Sequence, residues 1–389
     1  MARAGRSKGV FLAVFLALSL HGAASAAPDT IRIGVSLGLT GKYAEVGSMQ
    51  KAAYLLWMDH VNENGGMLGS RVDVVVEDDQ SDPERAVEIY RRFMEADGMD
   101  LVFGPYSSEL TGAVLRVTAD HGYPVLACGA ASEKLWQQGY TNIFGVYTPA
   151  GRYTLGFLEM LKVHGVDSLA IVSADDAFSM SIAEGARKWA TRFQQKVLYS
   201  RTFPKGLEDL DSIAREAMDS GAQVLLVCGH FEESVNMGKA LSRVGWKPEA
   251  FYASVGPALD RFLEVMGDAA QGTFSSSQWE YHPSLPYPGA RQFYESFVRV
   301  YGKEPAYQAA TAYACGVILG KAVERSGSLD RERIREALQT MDTMSPLGRY
   351  GVDASGMQYR QFSLITQWQD GKRQIVWPNE LRTSEPSFR

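Results

Sequence analysis

Apolar residues in this chain gather into short runs, and between the runs they recur every three or four positions. Ile31 to Leu37 (IRIGVSL) alternates as a half-buried strand does. A turn-rich loop from Leu39 to Tyr43 follows. From Ser48 the apolar positions Ala53, Leu56, Trp57 and Val61 mark one face of a helix that ends at Gly65-Gly66. Val72 to Val76 is the next strand, closed by Glu77-Asp78-Asp79. Asp82-Pro83-Glu84 then opens a helix to about Ala96, with a capping acid, a proline at the first position and an acid in the first turn. Leu101 to Phe103 is a strand stopped by Gly104-Pro105, and Ser107-Ser108 stand at the mouth of another helix with Glu109 in its first turn. Val125 to Ala127 leads into the small-residue loop Cys128-Gly129-Ala130-Ala131. This β-α-β-α-β-α-β order predicts an α/β fold with a parallel sheet covered on both faces.

The same alternation begins again at Ser168 to Val172, a strand followed by the loop Ala174 to Ser179. Helices over Ile182–Phe193, Leu207–Met218 and Glu232–Val244 alternate with strands over Val197–Ser200, Gln223–Val227, Phe251–Ser254 and Thr273–Ser277. Three helices then follow (288–301, 306–325 and 331–341). Phe362–Trp368 and Gln374–Trp377 form an antiparallel pair around Asp370-Gly371. No sequence repeat accompanies the repeated pattern. Ligands of open α/β sheets bind beyond the carboxyl ends of the strands. The loops that matter are therefore 39–47, 104–109, 128–132, 174–179, 228–232 and 254–257. At the start of the helix after Ser107-Ser108, free N–H groups and the helix dipole favour an anion. A serine hydroxyl adds a donor there, so this is half of a site for a small carboxylate; the alternative is that Ser107 or Ser108 is only an N-cap.

The first 26 residues are of another kind. Arg3, Arg6 and Lys8 precede the eleven-residue apolar run Val10 to Leu20, and Ala24-Ser25-Ala26 is a small-x-small site. This pattern is a secretory signal peptide cleaved after about Ala26, and the run is too short to span a bilayer. The mature protein is expected to be soluble and exported. Its leader carries three cations and no acid, so the net charge moves from −6 to −9 on cleavage. A field of that sign argues against nucleic acid or an anionic membrane as partner. Cys128, Cys228 and Cys315 are far apart and lie in apolar or small-residue settings. They read as buried thiols, although an oxidising compartment permits one disulfide whose pairing the sequence does not choose.

In order and spacing the chain resembles the type I periplasmic solute-binding proteins of the branched-chain amino-acid and amide transport class. The segments that carry the likeness are IRIGVSLGLTGKYAEVG, VNENGGMLG, VEDDQSDPERAV, GPYSS and FEESVNMGKALSRVGW, spread over the whole mature chain. The resemblance implies two Rossmann-like lobes with parallel sheets, joined by three crossing hinge segments near 147–150, 275–279 and 346–352. The lobes would be 27–148 with 278–349, and 149–277 with 350–389. It implies a monomer in the periplasm that closes around a small-molecule ligand by hinge bending and is read by an inner-membrane ABC permease, with no enzymatic activity, cofactor or metal.

Position by position, the family's carboxylate-binding serine falls on Ser108, beside Ser107 and Tyr106. The carbonyl that accepts an ammonium proton falls at Gly129, next to Ala130. The assisting threonine is Ala131 here, so that hydroxyl is missing. The covering tyrosine becomes Phe178 and another aromatic contact becomes His230. Tyr43 or Val46, with Tyr307 and Trp279, would complete the side-chain pocket. The acid that pairs with an amino acid's ammonium group maps to Val255, and none of Ser254, Gly256 or Pro257 is acidic. Leaving a buried ammonium without its carboxylate costs roughly 3–5 kcal/mol. On sequence the expected ligand is thus a carboxylate with a hydrophobic or aromatic body. A hydrophobic amino acid is the alternative if Asp175, Asp176, Glu232 or Glu280 supplies the charge from another direction. A soluble sensor would use the same pocket.

The remaining signals read as structure. Asp175-Asp176 fits a solvated loop and helix start, and Glu77-Asp78-Asp79 the polar end of a strand rather than a calcium loop. His230 after Cys228-Gly229 lacks the further Cys or His of a zinc site. Gly34-Val35-Ser36-Leu37-Gly38 has the Gly-x-Ser-x-Gly spacing, but its serine lies within the strand Ile31 to Leu37 and so makes no nucleophile elbow. There is no phosphate loop or zinc helix, and Gly38, Gly41 and Gly47 do not make a dinucleotide fingerprint.

Overall fold

Residues 1–2, 28–283 and 285–389 are described by the computed structural model, so the expected signal peptide lies, from residue 3 onward, outside the described residues. The first half builds β1 (Thr30–Leu37), α1 (Ala44–Glu63), β2 (Arg71–Asp78), α2 (Pro83–Glu95), β3 (Leu101–Phe103), α3 (Ser108–Asp120), β4 (Val125–Ala127) and β5 (Ile143–Gly145). After α4 (Leu155–Val163) come β6 (Ser168–Ala174), α5 (Ala177–Arg192), β7 (Lys196–Phe203), α6 (Asp211–Asp219) and β8 (Val224–Cys228). Next are α7 (Phe231–Val244), β9 (Ala250–Ala253), α8 (Asp260–Met266) and β10 (Thr273–Ser277). The chain ends with α9 (Ala290–Tyr301), α10 (Tyr307–Ser326), α11 (Arg331–Thr340), β11 (Thr343–Ser345), β12 (Gly348–Tyr350), β13 (Leu364–Gln369) and β14 (Lys372–Trp377).

Two main sheets result. The first is all parallel in the order β2-β1-β3-β4-β5. The second runs β14-β13-β10-β9-β8-β6-β7. Its strands from β6 to β10 are parallel, β13 joins antiparallel to β10, and β14 joins antiparallel to β13 at the edge. Read from the outer strand inward, β7-β6-β8-β9-β10 repeats the order of the first sheet, so the doubled sequence pattern is a doubled topology. β8 (VLLVC) is buried at every position, as a central strand between two helix layers must be. The chain passes between the sheets after β5, leaves again after β10 and returns after β12. At these passages the Thr148 N–H donates to Gln278 Oε1 at 2.9 Å, and Gln361 Nε2 donates to the Leu347 carbonyl at 2.7 Å. Helices α9 and α10 pack back on α1 of the first sheet.

Local choices follow the residues. Asp82 accepts the Arg85 N–H at 2.9 Å and Pro83 begins α2, as its sequence requires. α7 stops at Gly245, whose φ of 74° a residue with a Cβ adopts reluctantly. One boundary differs: α1 begins at Ala44, four residues before the expected start. Gly47 reads as a turn residue, yet it sits inside the helix because a Cβ there would lie 2.1 Å from the Gly38 carbonyl oxygen. Close approach, not a turn, is its reason. The short strands β5, β11 and β12 and the helices α4 and α8 carry no periodicity long enough to announce them. All three cysteines are free and buried. Among the described residues no helix is long and apolar enough to cross a membrane.

Candidate functional site

In each sheet the strand order reverses at one point, between β1 and β3 in the first and between β6 and β8 in the second. The crevice outside such a switch point is where open α/β sheets hold ligands. The loops there are 38–43 and 104–108 on one side, and 175–176 and 229–230 on the other. A cavity of about 430 Å³ lies here, lined by Tyr43, Val46 and Tyr106 on the first side and by Lys205, His230, Glu233 and Val255 on the second.

Loop 38–43 is braced by the acids that close β2. Asp78 accepts N–H bonds from Leu39 (2.9 Å) and Thr40 (3.2 Å) and the Thr40 hydroxyl (2.7 Å). Asp79, buried, accepts the Ser36 hydroxyl at 2.8 Å and the Ser81 N–H at 2.9 Å. These hold Tyr43 at the threshold of α1, where its ring meets Tyr106 edge-on at 5.1 Å.

The serine pair has two separate jobs. Ser107 caps α3: its Oγ accepts the Leu110 N–H at 3.2 Å, while its backbone sits at φ 80°, an uncommon conformation for a residue with a side chain. Its own N–H donates to the Gly129 carbonyl at 3.1 Å. Ser108 Oγ accepts N–H bonds from Ala131 (3.2 Å) and Ser132 (3.1 Å), drawing the loop after β4 onto the helix start. Gly129 is required there, because a Cβ would stand 2.7 Å from the Tyr106 ring. Ala130 and Ala131 are buried beneath. With its oxygen accepting twice, Ser108 still has a hydroxyl hydrogen to donate, beside first-turn N–H groups that have no partner within the helix.

The facing wall comes from α5 and α7. The Phe178 ring lies 4.9 Å from His230 and 5.6 Å from Tyr153, and His230 is 6.0 Å from Tyr43. Tyr307 opens α10 and meets Tyr147 at 5.8 Å. Val255 is buried ahead of a short turn and carries no charge. Trp279 is turned elsewhere: its ring packs on Phe293 (5.7 Å) and Tyr281 (6.3 Å). The other expected residues thus gather, Tyr43, Tyr106, Ser107, Ser108, Gly129, Ala130 and Ala131 on one side and Phe178, His230 and Val255 on the other.

Four further residues join them. Asp176, expected at a solvated loop and helix start, is half-buried and caps α5: its Oδ1 accepts N–H bonds from Phe178 (3.1 Å) and Ser179 (3.2 Å), and its Oδ2 accepts the Ser179 hydroxyl at 2.6 Å. His230 Nε2 stands 3.6 Å from it. Burial by itself raises the pKa of this carboxyl, but the His230 and Ser179 bonds and the charge of Lys205 outweigh it and hold Asp176 well below the usual carboxylate range. Lys205 spans the mouth, 3.5 Å from Glu109 and 3.4 Å from the Tyr43 hydroxyl, its N–H tied to Asp175 at 2.8 Å. Glu233 accepts the His230 N–H at 2.9 Å. Ser132 donates to the Ala177 carbonyl at 3.1 Å and meets the Ser181 hydroxyl at 2.8 Å, joining the serine loop to α5. The S/T-x-x-E-like spacing of His230 and Glu233 was a sequence signal; a lysine in a long loop gave none.

Two equivalent open sheets with their switch-point loops around one aromatic-walled crevice define a binding protein for a small solute. The family model for the periplasmic binding proteins matches residues 30–373, and the chain belongs to that family of non-catalytic solute-binding proteins. Among its relatives is the Leu/Ile/Val-binding protein homolog 7 of Brucella melitensis, 24% identical over 96% of this chain and 98% of that one. A leucine-binding protein from Thermotoga maritima superposes with a TM-score of 0.80 at 21% identity, covering 89% of this chain and 97% of its own. A solute-binding protein from Rhodopseudomonas palustris in complex with 3,4-dihydroxybenzoic acid gives 0.77 at 17%, covering 89% and 95%.

Proposed function

We propose that this chain is the extracytoplasmic substrate-binding component of an ABC importer and that it carries a hydrophobic amino acid of the branched-chain kind. The observation that bears most weight is the serine start of α3 directly after Tyr106, a residue that lines the aromatic-walled cavity. It suits a carboxylate at one end and an apolar body at the other. The names of the relatives favour the amino-acid form over the deaminated acid that residues 254–257 alone would suggest. In this reading the carboxylate docks on Ser107 and Ser108 of one lobe (27–148 with 278–349). The other lobe (149–277 with 350–389) then brings Phe178 and His230 over it, and a membrane permease recognises the closed form. Closure is driven by contacts made only when shut, since a ligand shifts an equilibrium only by its differential affinity. The mature chain, cleaved after about Ala26, works as a monomer in the periplasm.

A second reading, an aromatic acid without an ammonium group, rests on Val255 and Ala131 standing where a charge and a hydroxyl are expected. The Rhodopseudomonas palustris complex shows that this fold accommodates such a ligand. Calorimetry and thermal shift with leucine, isoleucine, valine and phenylalanine, against 4-methylpentanoic, 3-phenylpropanoic and 3,4-dihydroxybenzoic acids, separate the two. Tight binding of an acid with none of the amino acids bound would overturn the amino-acid reading.

A further inference from the structure

An amino acid brings a positive charge into a crevice whose expected counter-charge is a buried valine. Of the acids within reach of the cavity, most are committed elsewhere. Glu280 pairs with Arg373 at 3.6 Å, and Asp175 is tied to the Lys205 N–H. Glu232 is exposed at the rim of the cavity, Glu45 faces Arg261 at 3.5 Å, and Glu233 is buried at 2% exposure with its oxygens on the His230 and Gly206 N–H groups. Asp176 differs. Its side chain keeps 14% exposure, Oδ1 takes the Phe178 and Ser179 N–H groups with His230 Nε2 3.6 Å away, and Oδ2 accepts only the Ser179 hydroxyl. The carbonyl of its neighbour Ala177 takes the Ser132 hydroxyl, whose own N–H donates to Ser108, so the acid lies two residues' contacts from the serine seat.

We propose that Asp176 is the specificity-determining carboxylate that neutralises the α-ammonium group of the ligand, doing from the start of α5 what position 255 does not do here. The assignment rests on the amino-acid reading above. It explains how a crevice without an acid at 254–257 holds a zwitterion: the serine end of α3 takes the negative group and the capping acid of α5 the positive one, from opposite walls. His230 then serves as the lateral clamp on the carboxylate rather than as the ligand's hydrogen-bond partner. An ionised acid in this position also repels a ligand that is only an anion, so it sets preference as well as affinity.

Asp176→Asn tests this, because asparagine retains an oxygen to cap α5 while the charge is lost; Asp176→Ser is the second neutral cap should the first fold poorly. Calorimetry would use L-leucine and 4-methylpentanoic acid as probes on wild type and both variants, with ligand-free melting recorded in parallel. Leucine affinity is expected to fall about a hundredfold, with 4-methylpentanoic acid bound as well as before or better; ligand-free melting should fall as well, because the charge of Asp176 also supports the fold through His230 and Lys205. Leucine held equally well by wild type and a folded neutral variant overturns the assignment while leaving the amino-acid reading intact. Equal loss of both probes also overturns it, since the side chain would then merely support the crevice. Wild type that binds no hydrophobic amino acid overturns the functional reading first, before any variant is compared.

Discussion

Replacing Ser108 with alanine should damage the fold and the site together, and the two losses can be read separately. The hydroxyl oxygen accepts the Ala131 and Ser132 N–H groups at 3.2 and 3.1 Å, in a region where Ser108, Ala131 and Ser132 are all buried. A buried donor left without its partner costs about 1–3 kcal/mol. With some relaxation of the loop, the two orphaned donors should lower ligand-free stability by about 2–4 kcal/mol in urea titrations followed by circular dichroism. Ser107→Ala is the reference: it removes only the cap on Leu110, about 1 kcal/mol. Binding of leucine to folded Ser108→Ala should weaken by more than tenfold, because the loop that frames the seat loses its anchor and the ligand loses a donor. A Ser108→Ala protein as stable as wild type would show that the serine does not hold the loop, and unchanged leucine affinity would remove it from the seat.

Three other outcomes follow from the geometry. Burial, offset in part by Ser36 and Ser81, pushes the Asp79 carboxyl up from 3.8 to about 6. The folded chain therefore binds a proton more readily than the unfolded one between those values, and stability should fall by up to about 3 kcal/mol as pH rises from 4 to 7; Asp79→Asn should flatten that part of the urea-midpoint profile. Lys205–Glu109 and Arg261–Glu45 each bridge the mouth at 3.5 Å, and partly exposed pairs are worth at most about 1 kcal/mol each. Glu45→Gln with Glu109→Gln should weaken leucine binding roughly three- to tenfold at low salt, the gap closing near 1 M sodium chloride; a salt-independent gap would refute the ionic account. A Cβ on Gly316 would stand 2.2 Å from the Trp57 ring, so Gly316→Ala should cost about 1–3 kcal/mol by overpacking α10 against α1, measured in urea.

The long elements were legible because their patterns are long: α2 with its Asp-Pro-Glu start, the apolar strand β8 and the glycine stop of α7 all stand where the residues put them. The start of α3 was legible for the same reason, since a helix start after a glycine-proline turn has a recognisable form. Asp176 was not. Two adjacent acids at a helix start look alike on paper, and which one turns inward depends on His230, more than fifty residues later in the chain. Lys205 was hidden likewise, for its position across the mouth from Glu109 comes from packing and not from its neighbours in sequence. Trp279 stands beside a crossing segment, where core packing and ligand stacking look the same in sequence; in the fold its ring packs on Phe293.

The hairpin of β13 and β14 arrives late. β10 finds its antiparallel neighbour only after α9 to α11 and β11–β12 have been made, so the second sheet keeps a bare edge while most of the chain already exists. Pairings across such a separation form slowly. A ribosomal product cut short before Leu364 would carry that unguarded edge permanently, a template for sticking to its own kind.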